Sequence, residues 1–422
     1  MSQLGFRSGL MVPAYPALDD AQDVEDIITD EAGLRPPHGT APRVLMVVED
    51  GAFVAQGAPV ACHSTQTDIC FVAPMTGRVA RTELLSGHRL SEIVLFREGG
   101  GDSITHDTTD AQTEAGLRRL MQRAGFWPRI GRRPFGGMPN AAERPAAIFI
   151  LAADTRPHAP DPRRALEGHK DAFRRGCRAL SRLTDGPVLL CQAPGPALAD
   201  TDDAPRLQVV ITGPRHPQAS AGLLVHAEYP AGISTPIWDV NAEDVAALGD
   251  LLHTGALPQT RLVHVGGSAL KTGRMVRTQI GADLRALTFR HVRPGPHRLW
   301  SGSSLDGHAA RWLAPRHRQV TAFIPQAPDG APHWLVAALT RSARPKPMIP
   351  TAALDQAFAG RLPAAVFLRA LSAGDDETAL KMGVLSLLEE DVALADYVLG
   401  AEAHLAVLLR GMLERIKTEF AA

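Results

Sequence analysis

The segment from Arg261 to Leu284 restricts the fold of this chain more than any other stretch of its sequence. A β-type run, Leu262 to Val265, ends at two consecutive glycines, and a second short strand is predicted from Arg274 to Thr278. Asp283 then marks the entry to a short helix. Glycine is expected where the backbone needs a positive φ or the close approach of another segment. This order of strand, glycine turn, strand and short helix is typical of a small β-grasp module.

A helix is predicted directly upstream, from Ala242 to His253. Asn241 is placed to cap its first turn, and Asp244 lies three residues later, where a reciprocal capping side chain is expected. Apolar residues recur along one face, and Gly255 follows the last turn, where a left-handed glycine commonly ends a helix.

These two adjoining segments resemble the A subunit of the sodium-translocating NADH:quinone oxidoreductase. That family carries the pattern P-R-x-V-R-T-x-x-G-A-x-L, with glycine (Gly273) in place of the proline here. The residues that match the pattern are Arg274, Val276, Arg277, Thr278, Gly281, Ala282 and Leu284. Two more segments resemble that family, from Ala153 to Pro162 and from Phe367 to Leu394, so the resemblance extends over nearly the whole chain.

Residues 1–105 are predicted to form a barrel-sandwich domain like those of biotinyl and lipoyl carriers. Residues 49–60 and 73–79 carry the turn-and-strand phrases of those carriers. Such carriers need an exposed lysine for the prosthetic group, but the first lysine of this chain is Lys170. Covalent biotin or lipoate in this domain is therefore excluded. The resembled subunit has the same kind of N-terminal domain.

A Rossmann-like α/β domain is predicted over residues 106–257. It opens with a short helix and a long crossing loop up to residue 145, and then alternates strands with a helix from Pro162 to Leu183. The predicted strands are Ala147–Leu151, Pro187–Cys191 and Leu207–Thr212. No G-x-G-x-x-G follows the first strand, so a dinucleotide site is not predicted.

The β-grasp domain, SLBB-like, is assigned to residues 258–325. A linker at 326–350 with one strand, Trp334–Leu339, leads to a helical domain at 351–422. The helices predicted there are Ala379–Leu388, Asp391–Leu399 and Ala403–Phe420. The predicted fold class is therefore a multidomain α/β chain with an all-β N-terminal part.

Composition excludes several classes of function. The formal net charge is −1, so the chain has no general attraction to nucleic acid. Its longest uncharged apolar run, residues 146–153, is far shorter than the roughly 18–20 residues of a membrane-spanning helix. The first residues lack the basic and apolar regions of a signal peptide.

The four cysteines are predicted to be reduced thiols of a cytoplasmic protein. They are Cys62, Cys70, Cys177 and Cys191. They form no C-x-x-C pair and have no clustered histidines, so no iron–sulfur or zinc site is predicted.

No catalytic, cofactor-binding or metal-ligating residue is assigned from the sequence. The acidic run 389–391 is interpreted as a helix start, where negative charges face the positive end of the helix dipole. Gly302 and Gly307 enclose a turn, because the lysine and hydroxyl residue of a phosphate loop are missing after it.

Two loops are candidate contacts with a quinone headgroup or a membrane partner. They are Leu34-Arg35-Pro36 and Phe135-Gly136-Gly137-Met138. Ordinary domain-crossing loops are the alternative. The basic residues of the helix Pro162–Leu183 could meet acidic lipid headgroups or an acidic partner, but a solvated face is the default interpretation because Glu167 and Asp171 interrupt them.

The resemblance implies a non-catalytic, peripheral subunit on the cytoplasmic face of the bacterial inner membrane, near the quinone-reducing end of its complex. That complex oxidises NADH, reduces ubiquinone and exports Na⁺. Its FAD, FMN, riboflavin and iron–sulfur centres belong to other subunits, and this chain is expected to bind none of them. The implied partners are the membrane and flavin subunits, together with ubiquinone.

Two alternatives remain open. One is an electron-transfer protein of the type of the Rnf C subunit or the complex I flavoprotein, which would need a flavin loop or a cluster motif that the sequence lacks. The other is a stand-alone paralogue that acts as a binding or assembly module. Gly273 at the proline position and the absence of cysteine after residue 394 keep this alternative open.

Overall fold

The computed structural model describes residues 8–12, 23–37, 39–325, 351–400 and 403–420. Within these ranges the strands form four sheets, with helices packed on them or, toward the C-terminus, on one another. The chain is therefore a multidomain α/β protein. The predicted strand Trp334–Leu339 lies outside the described residues. No helix in the described ranges has the length and apolar character needed to cross a membrane.

Two antiparallel sheets form the N-terminal part, in the orders β2-β8-β7-β4 and β3-β5-β6. The strands are β1 (Glu25–Asp26), β2 (Glu31–Leu34), β3 (Val44–Met46), β4 (Phe53–Val54), β5 (Pro59–His63), β6 (Cys70–Val72), β7 (Gly77–Leu85) and β8 (Arg89–Arg97). Successive side chains of these strands point to opposite faces of each sheet, so residues such as Val79 and Leu95 lie in a shared apolar core. Leu34 ends β2 and is 8% exposed, so it belongs to this core and not to a loop, contrary to the prediction.

Cys62 and Cys70 form a disulfide, so the prediction of four reduced thiols is wrong for this pair. The register of the β5–β6 hairpin places the two residues directly opposite each other, with 4.1 Å between their Cα atoms. The eight-residue separation hid this pairing, because the two thiols meet only once the hairpin has formed. Cys177 and Cys191 are free and buried, and burial raises the pKa of the Cys177 thiol to about 12.

A five-stranded sheet follows, in the order β12-β11-β10-β13-β9. Its elements and their helices are α1 (Glu114–Arg123), β9 (Gly131–Arg133), β10 (Ala147–Ala152), α2 (Pro162–Ala165), α3 (Lys170–Leu180), β11 (Val188–Gln192), β12 (Leu207–Ile211), α4 (Ala221–Glu228), β13 (Ile237–Asn241) and α5 (Ala242–Thr254). All its strands are parallel except β9. α3 and α5 cross closely at Gly249, where an added Cβ would lie 1.8 Å from the Ala172 carbonyl oxygen.

Two sequence predictions for this part need correction. The single helix predicted from Pro162 to Leu183 is two helices, α2 and α3, because Gly168 takes a φ of 79° between them. The long crossing loop predicted before residue 145 contains β9, which adds an antiparallel edge strand to the sheet. Its polar composition concealed the strand, since Arg133 is buried through ion pairing rather than through apolar packing.

The third region is a six-stranded sheet in the order β1-β15-β14-β18-β16-β17. Its elements are β14 (Thr260–Gly266), β15 (Arg274–Gln279), α6 (Leu284–Thr288), β16 (Arg298–Ser301), β17 (His308–Ala309) and β18 (Gln319–Phe323). The two predicted strands and the short helix are present, and Asp283 caps α6 by accepting a hydrogen bond from the Arg285 amide. β1, from the N-terminal part, pairs in parallel with β15.

The C-terminal part is helical, as predicted. Its helices are α7 (Ala352–Ala357), α8 (Ala364–Ala373), α9 (Asp376–Lys381), α10 (Glu389–Val398) and α11 (Leu405–Phe420). The helix predicted from Ala379 to Leu388 is interrupted, because Gly383 takes a φ of 82° and a short 3-10 turn follows it. Leu223 of α4 is buried in the same apolar cluster, so this part packs directly on the five-stranded sheet region.

Candidate functional site

A cavity of about 230 Å³ lies where three parts of the chain meet. The carboxyl ends of β10 and β13 form one side of it, the segment before β18 forms a second, and the start of α10 forms a third. Open α/β sheets bind their ligands at the carboxyl ends of parallel strands. This cavity is therefore the candidate functional site.

Arg133 of β9 is the centre of a buried ionic cluster beside this cavity. Only 1% of its side chain is exposed. Its guanidinium donates hydrogen bonds to Asp239 on β13, to Glu390 Oε1 at 3.1 Å and to Asp391 Oδ2 at 3.3 Å. Its Nε also donates to the Ser386 carbonyl oxygen at 2.9 Å. Arg133 thus joins the sheet to the C-terminal helices.

Asp239 is shared between two guanidinium groups. Arg316, from the segment before β18, binds the carboxylate oxygen that Arg133 leaves free. Burial alone would raise the pKa of Asp239, but the charges of Arg316 and Arg133 outweigh it and hold the pKa below its ordinary value. The carboxylate is therefore ionised, and it ties the six-stranded sheet to the five-stranded sheet.

Asp391 closes the same cluster from the helical side. Its side chain accepts hydrogen bonds from its own helix start, at the Leu388 amide (2.8 Å), and from the start of α4, at the Gly222 amide (2.9 Å) and the Ser220 hydroxyl. The acidic run 389–391 begins a helix, as predicted. Its second role, as the partner of Arg133, depends on residues more than 200 positions away and is not visible in the local pattern.

Glu390 lines the cavity together with Glu389, and 41% of its side chain is exposed. Its pKa is raised to about 7, first because the surrounding protein disfavours the charged form and second because Asp391 repels it; the charge of Arg133 acts in the opposite direction. The side chain is open to solvent on the cavity side, so the stability effect of this shift is small.

The opposite wall holds a second charged group. Arg156, which follows β10, pairs with Asp154 on its own loop and with Asp306 Oδ2 at 2.9 Å. Burial would raise the pKa of Asp306, but Arg156 keeps it well below its ordinary value. Asp306 lies in the turn at residues 302–307, which was predicted as a turn and here reaches across to the five-stranded sheet.

A separate buried cluster surrounds Asp244 at the start of α5. Asp244 contacts three guanidinium groups, those of Arg318 at 2.9 Å, Arg261 at 3.4 Å and Arg129 at 3.5 Å. Burial would raise the pKa of Asp244, and the three positive charges instead hold it well below its ordinary value. Asp244 is therefore not the capping partner that its spacing predicted, and Asn241 makes no side-chain cap.

The predicted contact loops lie in different surroundings. Gly136 and Gly137 line the cavity, and Phe135 to Met138 line an adjoining groove of about 340 Å³ next to Arg410. Arg410 of α11 donates a hydrogen bond to the Phe135 carbonyl oxygen at 2.9 Å. Leu34 is in the N-terminal core, whereas Arg35 is exposed and 3.9 Å from Glu92. Neither Leu34, Arg35 nor Pro36 lines the cavity.

The chemistry of the cavity is ionic. Most of its charged side chains pair with one another, and the pairs Arg133–Glu390, Arg156–Asp306 and Arg316–Asp239 join segments that are distant in sequence. In the described part of the chain no group of three or more His, Cys, Asp or Glu side chains is arranged to hold a metal ion. The geometry therefore supports a junction between regions that encloses a small polar space.

Comparison with known proteins adds two kinds of match. A family model described as the NqrA second alpha/beta domain matches residues 112–257, and one described as the NQRA C-terminal domain matches residues 262–311. A protein of Shewanella amazonensis, named as the A subunit of the Na(+)-translocating NADH-quinone reductase, is 30% identical over 410 residues, covering 89% of this chain and 91% of that protein. The chain belongs to this family of A subunits.

Other members give the same result. The A subunit of Teredinibacter turnerae is 30% identical and covers 90% of this chain and 92% of its own length. That of Alcanivorax borkumensis is 28% identical and covers 98% of this chain and 99% of its own length. Among solved structures, an NAD⁺-reducing [NiFe]-hydrogenase matches at 13% identity with a TM-score of 0.40, over 73% of this chain and 63% of that one. That score is too low to support an argument.

Most residues of the two ionic clusters fall in or near the regions that these family models match, whereas Glu390 and Asp391 lie well beyond them. Arg129, Asp239 and Asp244 lie inside the first matched region, whereas Arg316 and Arg318 lie just beyond the second. Sequence reasoning missed all five residues as a set. The signal available was their chemistry, because arginines and aspartates beside strands that are otherwise apolar indicate buried ion pairs.

Proposed function

We propose that this chain is a peripheral subunit of a membrane NADH:quinone oxidoreductase that couples electron transfer to Na⁺ export. The supporting observation is the match to relatives named as the A subunit of the Na(+)-translocating NADH-quinone reductase, over about nine-tenths of the chain and of each relative. In this proposal the chain contributes surfaces and is itself non-catalytic. NADH, ubiquinone, the flavins and the iron–sulfur centre are handled by the complex as a whole.

We further infer the position of the chain and its finer architecture. It docks on the cytoplasmic face of the inner membrane, against the membrane and flavin subunits. In this proposal residues 1–105 form the barrel-sandwich domain, 106–257 the Rossmann-like domain, 258–325 the SLBB-like β-grasp domain and 351–422 the helical domain, and the predicted linker at 326–350 lies outside the described residues. The sheet orders of the first three regions agree with this division, apart from β1.

The loop Phe135-Gly136-Gly137-Met138 is the proposed quinone- or partner-proximal contact. It is supported by its position at the boundary of the cavity and the adjoining groove, and by the hydrogen bond that Arg410 donates to it. The shorter segment Leu34-Arg35-Pro36 keeps only Arg35 as an exposed candidate.

Co-purification from native membranes tests membership of the complex. The tagged full chain, extracted in mild detergent, is expected to bring down membrane and flavin subunits with NADH-dependent quinone reductase activity. Recovery of the chain alone from a host that makes the complex would contradict the proposal and favour the stand-alone paralogue.

Variants of the loop test its location. Phe135→Leu is expected to raise KM for quinone severalfold in the purified complex while KM for NADH is unchanged. Val407→Ala, at a residue that is 71% exposed on α11, is the matched control. An unchanged KM for quinone together with normal assembly would remove the loop from the quinone end.

A further inference from the structure

The loop after α6 exposes an aromatic side chain to solvent. Phe289 follows the last residue of α6 and is 81% exposed, the most exposed aromatic residue in the described part of the chain. Burying an aromatic ring contributes more than burying most side chains, so this ring would gain by contact with an apolar phase.

Arginines lie on both sides of Phe289 in the sequence. The exposed ones are Arg285, Arg290, Arg293 and Arg298. Residues 284–305 contain no Asp or Glu, and within the described residues none of these four arginines forms an ion pair, even though the chain as a whole has a net charge of −1. The arginines elsewhere on the surface are commonly paired, as Arg311 is with Glu31. The positive charge of this loop is therefore concentrated in a short segment and is not neutralised by carboxylates of the described residues.

The base of the loop is held by backbone pairing with the turn after β14. The Lys271 amide donates to the His291 carbonyl oxygen at 3.0 Å, and the Arg293 amide donates to the Ala269 carbonyl oxygen at 2.8 Å. This pairing adds Lys271 to the same surface. Glu25 is the acidic group whose charge acts on His291, and it is already bonded to Arg274 at 2.8 Å.

We propose that residues 285–298, together with Lys271, bind the surface of an anionic lipid bilayer, with Phe289 inserted among the headgroups. A bilayer suits this surface because it accepts a projecting loop that carries one apolar ring among cations. A stable protein interface would instead need about 800 Å² of complementary surface on each side. The inference goes beyond the proposed function, since its partner is lipid and no other subunit is needed.

The binding is expected to be reversible and sensitive to salt. One inserted ring is too little for a permanent anchor, and each basic residue near an anionic leaflet contributes about a fivefold gain in binding. Screening within about 10 Å at 0.1 M salt shortens the reach of these charges, so binding should fall steeply as ionic strength rises.

Vesicle co-sedimentation of the purified full chain tests the proposal. The chain should pellet with vesicles that contain one third phosphatidylglycerol in phosphatidylcholine, and not with phosphatidylcholine alone. Arg290→Gln combined with Arg293→Gln should lower the partition coefficient about 25-fold, and Phe289→Ala several-fold. The matched control is Arg119→Gln with Arg369→Gln, two exposed arginines on other faces, which should leave binding unchanged.

A dye placed at the ring tests insertion separately. Phe289→Cys offers a labelling site because Cys177 and Cys191 are buried and Cys62 is bonded to Cys70. An environment-sensitive dye there should shift to the blue on anionic vesicles, whereas the same dye at Arg369→Cys should not.

Three results would overturn the proposal. They are no binding of the wild-type chain to anionic vesicles at low salt, equal losses in the loop and control variants, and selective binding to an acidic polypeptide in place of lipid. Because the assay contains only this chain and lipid, each of these results is independent of co-purification with the complex.

Discussion

The arginines around Asp244 are buried and ion-paired, whereas those of the loop after α6 are exposed and form no ion pair within the described residues. Arg129, Arg261 and Arg318 are enclosed between the second and third regions and share one carboxylate, whereas the arginines of residues 285–298 lie in solvent without partners among the described residues. Removing a guanidinium from water is costly, so an enclosed arginine is committed to the carboxylate that compensates it. An exposed arginine has no such commitment and remains available to a partner outside the chain.

Asp244→Asn should show the enclosed use most strongly. It would leave three guanidinium groups beside a neutral amide, and breaking a buried pair in this way costs about 3–5 kcal/mol. We expect a loss of that size in the free energy of unfolding, measured in urea. Asp171→Asn, at a carboxylate with 85% of its side chain exposed, should change it by less than about 0.5 kcal/mol. Equal free energies of unfolding for the two variants would show that the Asp244 cluster does not stabilise the contact between the second and third regions.

The same variant should also change the response to acid. The folded-state pKa of Asp244 is depressed, so its contribution is present above the unfolded pKa and is lost as pH falls below about 4 toward the folded value. The stability of the wild type should therefore fall more steeply than that of Asp244→Asn as pH decreases from 5. Parallel curves of unfolding free energy against pH would contradict this assignment.

Arg133→Lys tests whether geometry matters as well as charge. A lysine keeps one positive charge but cannot reach Asp239, Asp391 and the Ser386 carbonyl together, so we expect a loss of about 2–3 kcal/mol and earlier proteolysis of the C-terminal helices. Arg123→Lys, at an arginine that is 59% exposed and pairs with Asp68, is the control and should cost less than about 1 kcal/mol.

Glu390→Gln tests a carboxylate that is partly exposed to solvent and also paired with the buried Arg133. The folded-state pKa of Glu390 is raised to about 7, so its contribution is fully present below about pH 4 and is lost as pH rises through 7. The variant should be more stable than the wild type at pH 8, by less than about 1 kcal/mol because the side chain is 41% exposed, and should match it at pH 4. The thermal midpoints of both proteins at the two pH values decide this.

Arg290→Ala should have the smallest effect on folding. The side chain is exposed and has no ion pair within the described residues, so the free energy of unfolding should change by less than about 0.5 kcal/mol. A loss above 1 kcal/mol in chemical denaturation would show that this arginine serves the fold and would weaken the contrast with the buried clusters.

Local signals in the sequence predicted much of the fold. The segment 261–284 forms the two strands and the helix expected of it, and the helix after Asn241 ends at Gly255 with a φ of 75°. These elements depend on periodicity and on turn residues, which lie within one stretch of chain. Breaks at Gly168 and Gly383 were missed because the apolar spacing continues across each glycine.

Local sequence patterns did not predict the contacts of the candidate site between residues that are far apart in the chain. The capping prediction for Asp244 used a three-residue spacing, whereas its actual partners are up to 115 residues away. The strand at Arg133 has a loop-like composition, and Cys62 opposes Cys70 only in the folded hairpin. A single sequence does not encode which buried charges meet until the sheets are placed against one another.

The pairing of β1 with β15 has a consequence for biosynthesis. Residues 25–26 leave the ribosome about 250 residues before the strand they join, and the hydrogen bonds between Thr29 and Gln279 span the same interval. The nascent N-terminal sheets are therefore complete long before this tether forms, and contacts of such high sequence separation form slowly. An early segment must therefore return onto a late one, so a bulky fusion placed next to residues 25–26 should hinder this pairing.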